Sequence, residues 1–446
     1  MISTSPEVIT LVMVALLIVG IASGYPLGLA LAGVAVVSGL LFFDPPLTIF
    51  SLFHDRLFGV TSNYTFLAVP LFIFMGIMVE RSGVSKALFS TLYLWLGGLR
   101  GGLAVATIWF GTVLAATVGV IAASITMLGL IALPALLERG YSKELSAGAC
   151  CAGGSLGILI PPSIMLIFYG PMATISVGQL FMAAFPAGLT LSVMYTLYIL
   201  VRSALRPQEA PVLPPEERNV PMAHKLRLLF TSLLPPVVLV LAVLGSIFFG
   251  IAAPTEAAAV GALASTIMAA AYRKLNFTVI KETCFTTAGT FSMVFIVVVG
   301  ATFFTSIFLG LGCGDVVNSF VLAAPGGKWG SLLVVMFIVF ILGMFIDWIG
   351  IVLIMVPIVT PIAGELGFNY LWFSMMIIVN LQMSFLSPPF AYAIFFLKAV
   401  VKPEWGVDTN HIIRGVLPFI AMIVLTLILM IIFPQIITWL PEQMIN

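Results

Sequence analysis

The sequence predicts an all-α polytopic membrane protein made of two inverted structural repeats, with two re-entrant helical hairpins and two broken helices. Of its 446 residues, 61% are hydrophobic and 8% are charged, whereas a soluble domain typically carries about 25% charged residues. The mean hydropathy is +1.22. Apolar runs of about 20 residues, the length that crosses a bilayer, recur along the chain. The proline pair Pro161-Pro162, inside one apolar run, has a counterpart in Pro388-Pro389, inside another.

The apolar runs predict ten membrane crossings. They are 8–24, 26–43, 66–80, 144–177, 180–201, 228–250, 254–272, 287–310, 369–399 and 416–440. Two further stretches, 101–138 and 329–365, are too long for one span and too interrupted for two. We therefore interpret both as re-entrant hairpins that enter and leave on the same side.

Basic residues support this layout. If both hairpins turn back, all but two of the 18 basic residues, Arg56 and Lys328, fall on one face. The positive-inside bias makes that face cytoplasmic, so both termini are expected on the periplasmic side. Segment 202–227 is rich in proline and charge and is predicted to be a cytoplasmic linker.

The linker divides the chain into two predicted repeats. The first, 1–201, contains scaffold helices, hairpin 101–138 and broken helix 144–177. The second, 228–446, contains scaffold helices, hairpin 329–365, broken helix 369–399 and terminal helix 416–440.

The repeats are visible as an offset in the sequence. A shift of 227 residues aligns Pro161-Pro162 with Pro388-Pro389, and Glu138 with Glu365. The predicted topology puts the equivalent segments on opposite sides of the membrane, so the repeats are inverted. Inverted repeats with broken helices are typical of secondary transporters, whose substrate and ion sites lie near the bilayer midplane.

The proline pairs predict ion ligands. Proline cannot donate a backbone hydrogen bond, and an unpaired carbonyl in hydrocarbon costs several kcal/mol unless something satisfies it. A bound Na⁺ would do so. The alternative is a kink in which neighbouring Ser or Thr side chains repair the backbone.

The hairpin tips are predicted to complete each site. In the first tip, Thr117 and Ser124 offer hydroxyls and Gly119 permits a sharp turn. The second tip carries Asp347, an acidic residue inside an apolar stretch, which is either functional or a structural N-cap. The serines near the proline pairs are Ser163, Ser384 and Ser387. Glu256, just after Pro254, is predicted to cap a helix.

The motifs "PTEAAAVGAL", "LGILIPPS", "GMFIDWIGIVLIMVPI" and "LSPPFAYAIFF" resemble the large membrane (M-type) subunit of tripartite ATP-independent periplasmic (TRAP) transporters over nearly the whole chain. The resemblance implies sodium-coupled import of a small organic acid by an elevator motion in a bacterial inner membrane. It also implies two partners, a small four-helix membrane subunit and a periplasmic substrate-binding protein.

The resemblance further implies that the hairpin tips and broken helices form the sodium and substrate sites. Na⁺ would be the coupling ion, with no other cofactor. The residues are Thr117, Gly119 and Ser124 with Gly157, Ile160, Pro161, Pro162 and Ser163, and Asp347 and Gly350 with Ser384, Ser387, Pro388 and Pro389. Many family members carry Ser-Gly-Ser at the first tip, where this chain has Thr117-Val118-Gly119.

Other functions fit the sequence less well. The run Gly312-Cys313-Gly314-Asp315 has the form of an intramembrane aspartyl protease motif, but that chemistry needs a second carboxylate sharing a proton, and Asp315 is predicted in an outer loop. The chain is therefore not expected to be an enzyme. A channel would need rings of filter groups, which are not apparent. A standalone anion carrier without a binding protein stays open. The net charge of +1 gives no reason to expect nucleic acid, and the four cysteines are expected to be packing residues.

Overall fold

The computed structural model describes residues 5–214 and 220–444, and in these ranges the regular elements are helices. The first half contains α1 (Pro6–Ala22), α2 (Leu27–Phe42), α3 (Thr48–Thr61), α4 (Ala68–Arg81), α5 (Val84–Leu96), α6 (Gly102–Val118), α7 (Ile121–Glu138), α8 (Lys143–Ser155), α9 (Ile164–Ala173) and α10 (Val177–Leu205). The second half contains α11 (Met222–Phe248), α12 (Pro254–Ala271), α13 (Phe277–Gly310), α14 (Cys313–Leu322), α15 (Gly327–Gly343), α16 (Trp348–Glu365), α17 (Tyr370–Leu386), α18 (Tyr392–Val400), α19 (Thr409–Ile432) and α20 (Gln435–Glu442). Short 3₁₀ turns occur at Tyr64–Leu67, Leu156–Ile158, Pro207–Glu209 and Pro403–Trp405.

The predicted hairpins and broken helices are present. Hairpin 1 is α6 with α7, and hairpin 2 is α15 with α16. Broken helix 1 is α8 with α9, interrupted at Pro161-Pro162 (break 1). Broken helix 2 is α17 with α18, interrupted at Pro388-Pro389 (break 2). The all-α, multi-helix membrane fold predicted from the sequence is thereby confirmed.

Several boundaries differ from the predictions. Helices α3, α5 and α14 were not anticipated, and Asp315 lies in the first turn of α14 rather than in a loop. Helix α13 is 34 residues long and begins ten residues before the predicted crossing 287–310. The predicted crossing 416–440 is two helices, because Pro434 cannot donate to the carbonyl of Met430. That carbonyl accepts the indole N–H of Trp372 at 2.9 Å instead.

The repeat extends over the whole architecture. Shifting broken helix 1, residues 143–173, by 227 gives 370–400, the observed bounds of broken helix 2. The same shift places α5 over α14, so each repeat has one short helix before its hairpin. In the first repeat α3 and α4 are separate helices, whereas their equivalents are fused into α13.

The two hairpins open on opposite faces of the molecule. The base of hairpin 1 is tied to the linker, since the N–H of Gly101 donates to the carbonyl of Ala210 at 3.3 Å. The base of hairpin 2 is closed by the rings of Trp329 and Phe368, whose centroids lie 5.6 Å apart. Helix α19 connects these faces. It begins beside α8, where Gly415 packs on Glu144, and ends where Met430 accepts from Trp372, at the base of hairpin 2.

The described ends of the chain both lie on the face opposite the linker. Pro6 packs near Gly312, at the start of α14, and Met444 packs near Gly178, at the start of α10. The assignment of that face to the periplasm stays a prediction from the positive-inside bias.

The linker is held against the end of α10 by charge. Glu209 pairs with Arg202 at 2.7 Å and with Arg206 at 3.0 Å. Burial raises the pKa of Glu209, but the hydrogen bonds from the two arginines outweigh burial and hold the pKa below its ordinary value. Helix α10 ends at Leu205 and α11 begins at Met222, so the segment between these two helices is shorter than the predicted linker 202–227.

Candidate functional site at the helix breaks

The tip of hairpin 1 lies directly against break 1. A methyl group placed on Gly119 would sit 3.1 Å from the carbonyl oxygen of Pro162. A methyl group on Gly157 would sit 3.0 Å from Oγ of Ser124 and 3.3 Å from the carbonyl of Val120. Gly119 has φ +66°, a conformation in which a side chain is strained. Both glycines are therefore needed for the tip and the break to meet at backbone distance.

Break 1 leaves a row of backbone carbonyls without donors. Pro161 and Pro162 cannot bond the carbonyls of Gly157 and Ile158, which lie four residues earlier. The hydroxyl of Ser163 donates to Ile158 at 2.6 Å and repairs that one position. Within the described residues, no protein N–H or hydroxyl donates to the carbonyls of Gly157, Leu159, Ile160, Pro161 and Pro162, or to those of Thr117, Val118 and Gly119 in the facing tip.

The hydroxyls of the first site present oxygen lone pairs to the break. Thr117 donates to the carbonyls of Val113 at 3.2 Å and Leu114 at 3.1 Å, and Ser124 donates to Val120 at 3.1 Å. Because their protons point into the helix backbone, their oxygens remain available only as acceptors. Thr117, Ser124 and Ser163 are all buried. Together with the free carbonyls they form an oxygen-rich site with no compensating donor.

The tip of hairpin 2 lies against broken helix 2 in the equivalent way. A methyl group on Gly343 would lie 2.6 Å from Oγ of Ser384. The hydroxyl of Ser384 donates to the carbonyl of Phe340 at 3.1 Å, and the amide of Asn380 donates to Met336 at 2.7 Å. Two side chains of α17 therefore bond the backbone of α15 and fix the hairpin against the broken helix.

Break 2 has the same shortage of donors. The N–H of Ser387 donates to Ser384 at 3.1 Å, and its hydroxyl donates to Met383 at 2.8 Å. In the part of the chain that the structure describes, the carbonyls of Phe385, Ser387, Pro388 and Pro389 accept no protein hydrogen bond, and neither do those of Met344, Phe345 and Ile346 in the facing tip. The two breaks differ in exposure, because break 1 is buried throughout whereas Pro388, Pro389 and Phe390 are exposed.

Asp347 occupies the N-cap position of α16 and is half-buried. Its carboxylate faces the backbone N–H groups of Trp348 and Ile349 without completing a capping bond to the second or third helical residue. It lies within electrostatic range of the Tyr392 hydroxyl, just beyond break 2. The position at the start of α16 fits both interpretations of Asp347 given above, a functional carboxylate and a structural N-cap.

Gly350, a predicted site residue, packs against α2 and against its own hairpin tip. A methyl group there would lie 2.8 Å from Cδ2 of Leu27 and 2.7 Å from Ile346. Its smallness therefore lets hairpin 2 pack against α2. Glu256 accepts from the N–H of Ala253 at 2.9 Å, which confirms its predicted capping role.

Three residues near the second site were missed by reasoning from the sequence. Asn380 bonds hairpin 2, Tyr392 lies within electrostatic range of Asp347, and Gln382 is buried with neither amide atom hydrogen-bonded. Asn380 and Gln382 could have been found, because polar side chains inside an apolar helix mark functional positions. Tyr392 could not, since nothing in the sequence shows that it faces the tip.

The chain matches the family model described as "Tripartite ATP-independent periplasmic transporter, DctM component" over residues 14–436. It is 30% identical to the C4-dicarboxylate TRAP transporter large permease protein DctM of Pseudomonas aeruginosa, covering 87% of this chain and 88% of that protein. It is 28% identical to the ectoine TRAP transporter large permease protein TeaC of Halomonas elongata, covering 97% of this chain and 99% of that protein.

A solved structure of similar fold is the Alcanivorax borkumensis YdaH transporter, with a TM-score of 0.61, 16% identity, and coverage of 89% of this chain and 90% of that chain. At that identity the likeness concerns the fold alone. On the family match and the sequence relatives, the chain therefore belongs to the DctM family of tripartite ATP-independent periplasmic transporters, as the large permease subunit of a transporter for organic substrates.

Proposed function

We propose that this permease imports a small organic acid by coupling its movement to Na⁺ at the two helix breaks. The observation that carries the proposal is the set of carbonyl oxygens that receive no protein donor at each break and its facing tip, which at break 1 are buried together with three hydroxyls. Unpaired carbonyls at membrane depth are costly unless satisfied, and backbone oxygens of broken helices are ligands for Na⁺ in transporters. Among the described residues, no group of three or more His, Cys, Asp and Glu side chains is placed to hold another kind of metal.

The substrate would lie between the two tips, near the bound ions. Relatives are named for transport of C4-dicarboxylates, isethionate, sialic acid and ectoine, which are small organic acids or zwitterions. Helix N-termini that face a break favour an anionic group, and α9, α16 and α18 each begin at a break or a tip. An organic acid is thus the class of substrate that the site suits best.

Movement would follow an elevator path. The hairpins and broken helices form one unit, and α2, α4, α12 and α13 pack closely as a second unit, with Gly28 of α2 against the backbone of Ile296. The short helices α5 and α14 each link a scaffold helix to a hairpin. In this proposal the first unit slides past the second, carrying the site from the periplasmic to the cytoplasmic face of a bacterial inner membrane.

Two partners complete the proposal, a small four-helix membrane subunit and a periplasmic binding protein that delivers the substrate. One relative from Oleidesulfovibrio alaskensis is named isethionate TRAP transporter permease protein DctMQ, and this chain covers 62% of it. The remaining length of that protein is in keeping with a second membrane subunit joined to the large one.

Sodium binding can be tested without knowing the substrate. We expect purified protein to bind ²²Na⁺ saturably, and unlabelled Na⁺ but not K⁺ or choline to displace it. Absence of saturable binding would overturn the coupling mechanism. Uptake of succinate, isethionate and ectoine into proteoliposomes, with and without the binding protein, then distinguishes a tripartite system from a standalone carrier.

A further inference from the structure

An apolar cavity lies between α11 on one side and α5, α6, α10 and break 1 on the other, on the linker half of the molecule. Its volume is about 500 Å³, within the range of about 300–1,000 Å³ found for small-molecule sites. Leu92 and Trp95 of α5 form one wall, Leu241 of α11 another, and Ile160 of break 1 lies at its inner end. We call this space the boundary cavity.

The walls of the boundary cavity offer no free polar group. The two threonines that line it turn their hydroxyls away, Thr91 donating to Ala87 at 2.8 Å and Thr112 to Ile108 at 2.9 Å. Cavities without polar partners do not hold ordered water but do take apolar molecules. The occupant must therefore be apolar where it touches these walls.

The cavity has the length of one acyl chain. Its wall on α11 runs from Leu229 to Leu241, about 18 Å at 1.5 Å per residue, which is close to the roughly 15 Å of one hydrocarbon leaflet. Residues Leu229–Leu233 form a π-helical turn. Pro235 cannot donate to the carbonyl of Thr231, which accepts the Tyr272 hydroxyl instead. Leu229 and Leu233, the two ends of this turn, both line the cavity.

The mouth of the cavity is basic. Lys225 and Arg227 stand four and two residues before the lining residue Leu229, and the indole N–H of Trp95, another lining residue, donates to the Lys225 carbonyl at 3.4 Å. Neither basic side chain forms an ion pair within the described residues. Basic groups beside an apolar pocket on the cytoplasmic side suit the headgroup of an anionic phospholipid.

We propose that the boundary cavity binds one anionic phospholipid, with an acyl chain inside it and the phosphate on Lys225 and Arg227. The lipid would fill the space between α11 and break 1 and contact both of these elements. This inference does not depend on sodium coupling.

The test uses the full-length chain in detergent with two probes, dioleoylphosphatidylglycerol and dioleoylphosphatidylcholine, which share acyl chains and differ in headgroup charge. Native mass spectrometry and the thermal midpoint report binding. We expect the phosphatidylglycerol to bind more tightly and to raise the midpoint more. Lys225→Gln and Arg227→Gln should each weaken its binding about fivefold without changing phosphatidylcholine binding, whereas Lys281→Gln, on the same face, should change neither.

The second part of the test fills the boundary cavity with larger side chains. Leu241→Trp and Leu92→Trp should abolish the stabilisation by either lipid, whereas Leu263→Trp, at an exposed position on α12, should leave it intact. Equal phosphatidylglycerol binding by wild type and both cavity variants would overturn the proposal. It would also be overturned if the cavity variants kept their lipid and instead lost a co-purifying membrane subunit.

Discussion

The rings of Phe345 and Phe390 meet edge to face, with centroids 5.8 Å apart and planes inclined by 69°. Phe345 lies in the tip of hairpin 2 and Phe390 lies just after the proline pair of break 2. Tyr392, two residues beyond Phe390, also lies within electrostatic range of Asp347 in the tip. The ring pair therefore places the tip of hairpin 2 in direct contact with break 2. The equivalent positions of the first site are Val118 and Ser163. The first site therefore has no ring pair at these two positions.

We predict that this ring pair holds the tip of hairpin 2 over break 2. An edge-to-face pair contributes about 0.5–1.5 kcal/mol beyond its buried area. Phe345→Ala and Phe390→Ala should therefore each speed hydrogen exchange at residues 343–347, and the double variant should add little to either single change.

The control is Phe291→Ala, which removes a ring pair formed within one helix with Phe295 and should leave exchange at the tip unchanged. Fully additive effects of the two single variants would show that the rings do not act as a pair.

Replacing a proline at either break restores a backbone N–H donor, and we predict that this weakens the binding of Na⁺. Pro161→Ala and Pro389→Ala each return an N–H that can bond a carbonyl four residues earlier, that of Gly157 or Phe385, neither of which accepts a protein hydrogen bond among the described residues. We expect the Na⁺ dissociation constant to rise about tenfold, equivalent to about 1.4 kcal/mol, while the protein remains inserted. Titration with ²²Na⁺ measures it.

Pro134→Ala serves as the matched control, because Pro134 lies inside α7 and away from the tip. Unchanged sodium affinity in both break variants would contradict the ion-site proposal.

The charge of Asp347 can be separated from its capping position. Asn caps helices about as well as Asp, so Asp347→Asn keeps the N-cap and removes the charge. We predict at least a tenfold loss of sodium-dependent uptake in proteoliposomes with little change in the thermal midpoint.

Asp315→Asn, at an exposed position on α14, should transport normally. Normal uptake kinetics in Asp347→Asn would show that Asp347 acts as a structural N-cap and that its charge is not needed for transport.

The scaffold depends on a backbone contact between α2 and α13. A methyl group on Gly28 would lie 2.6 Å from the carbonyl oxygen of Ile296 and 2.9 Å from Cα of Val297. Overpacking of this kind typically costs about 1–3 kcal/mol, so Gly28→Ala should lower the thermal midpoint in detergent.

Gly33 on the same helix has no atom within 4 Å of an added methyl group. Gly33→Ala should therefore leave the midpoint unchanged or raise it. Equal thermal midpoints for the two variants would show that the close contact between α2 and α13 at Gly28 does not contribute to stability.

The sequence by itself determined where this chain crosses the membrane, where its helices break and that its halves repeat. These features follow from local chemistry, since apolar length sets a span, proline removes a donor at a fixed position, and a constant offset survives in the residues. Helices α3, α5 and α14 were not predicted from the sequence, because they are shorter than a membrane span. Only the tertiary structure decided which oxygens lack donors, that Ser163 repairs Ile158, that Gly350 packs on Leu27, and that a cavity separates α11 from break 1. These are properties of contacts between segments far apart in the chain, and no local pattern encodes which side chain will meet which carbonyl.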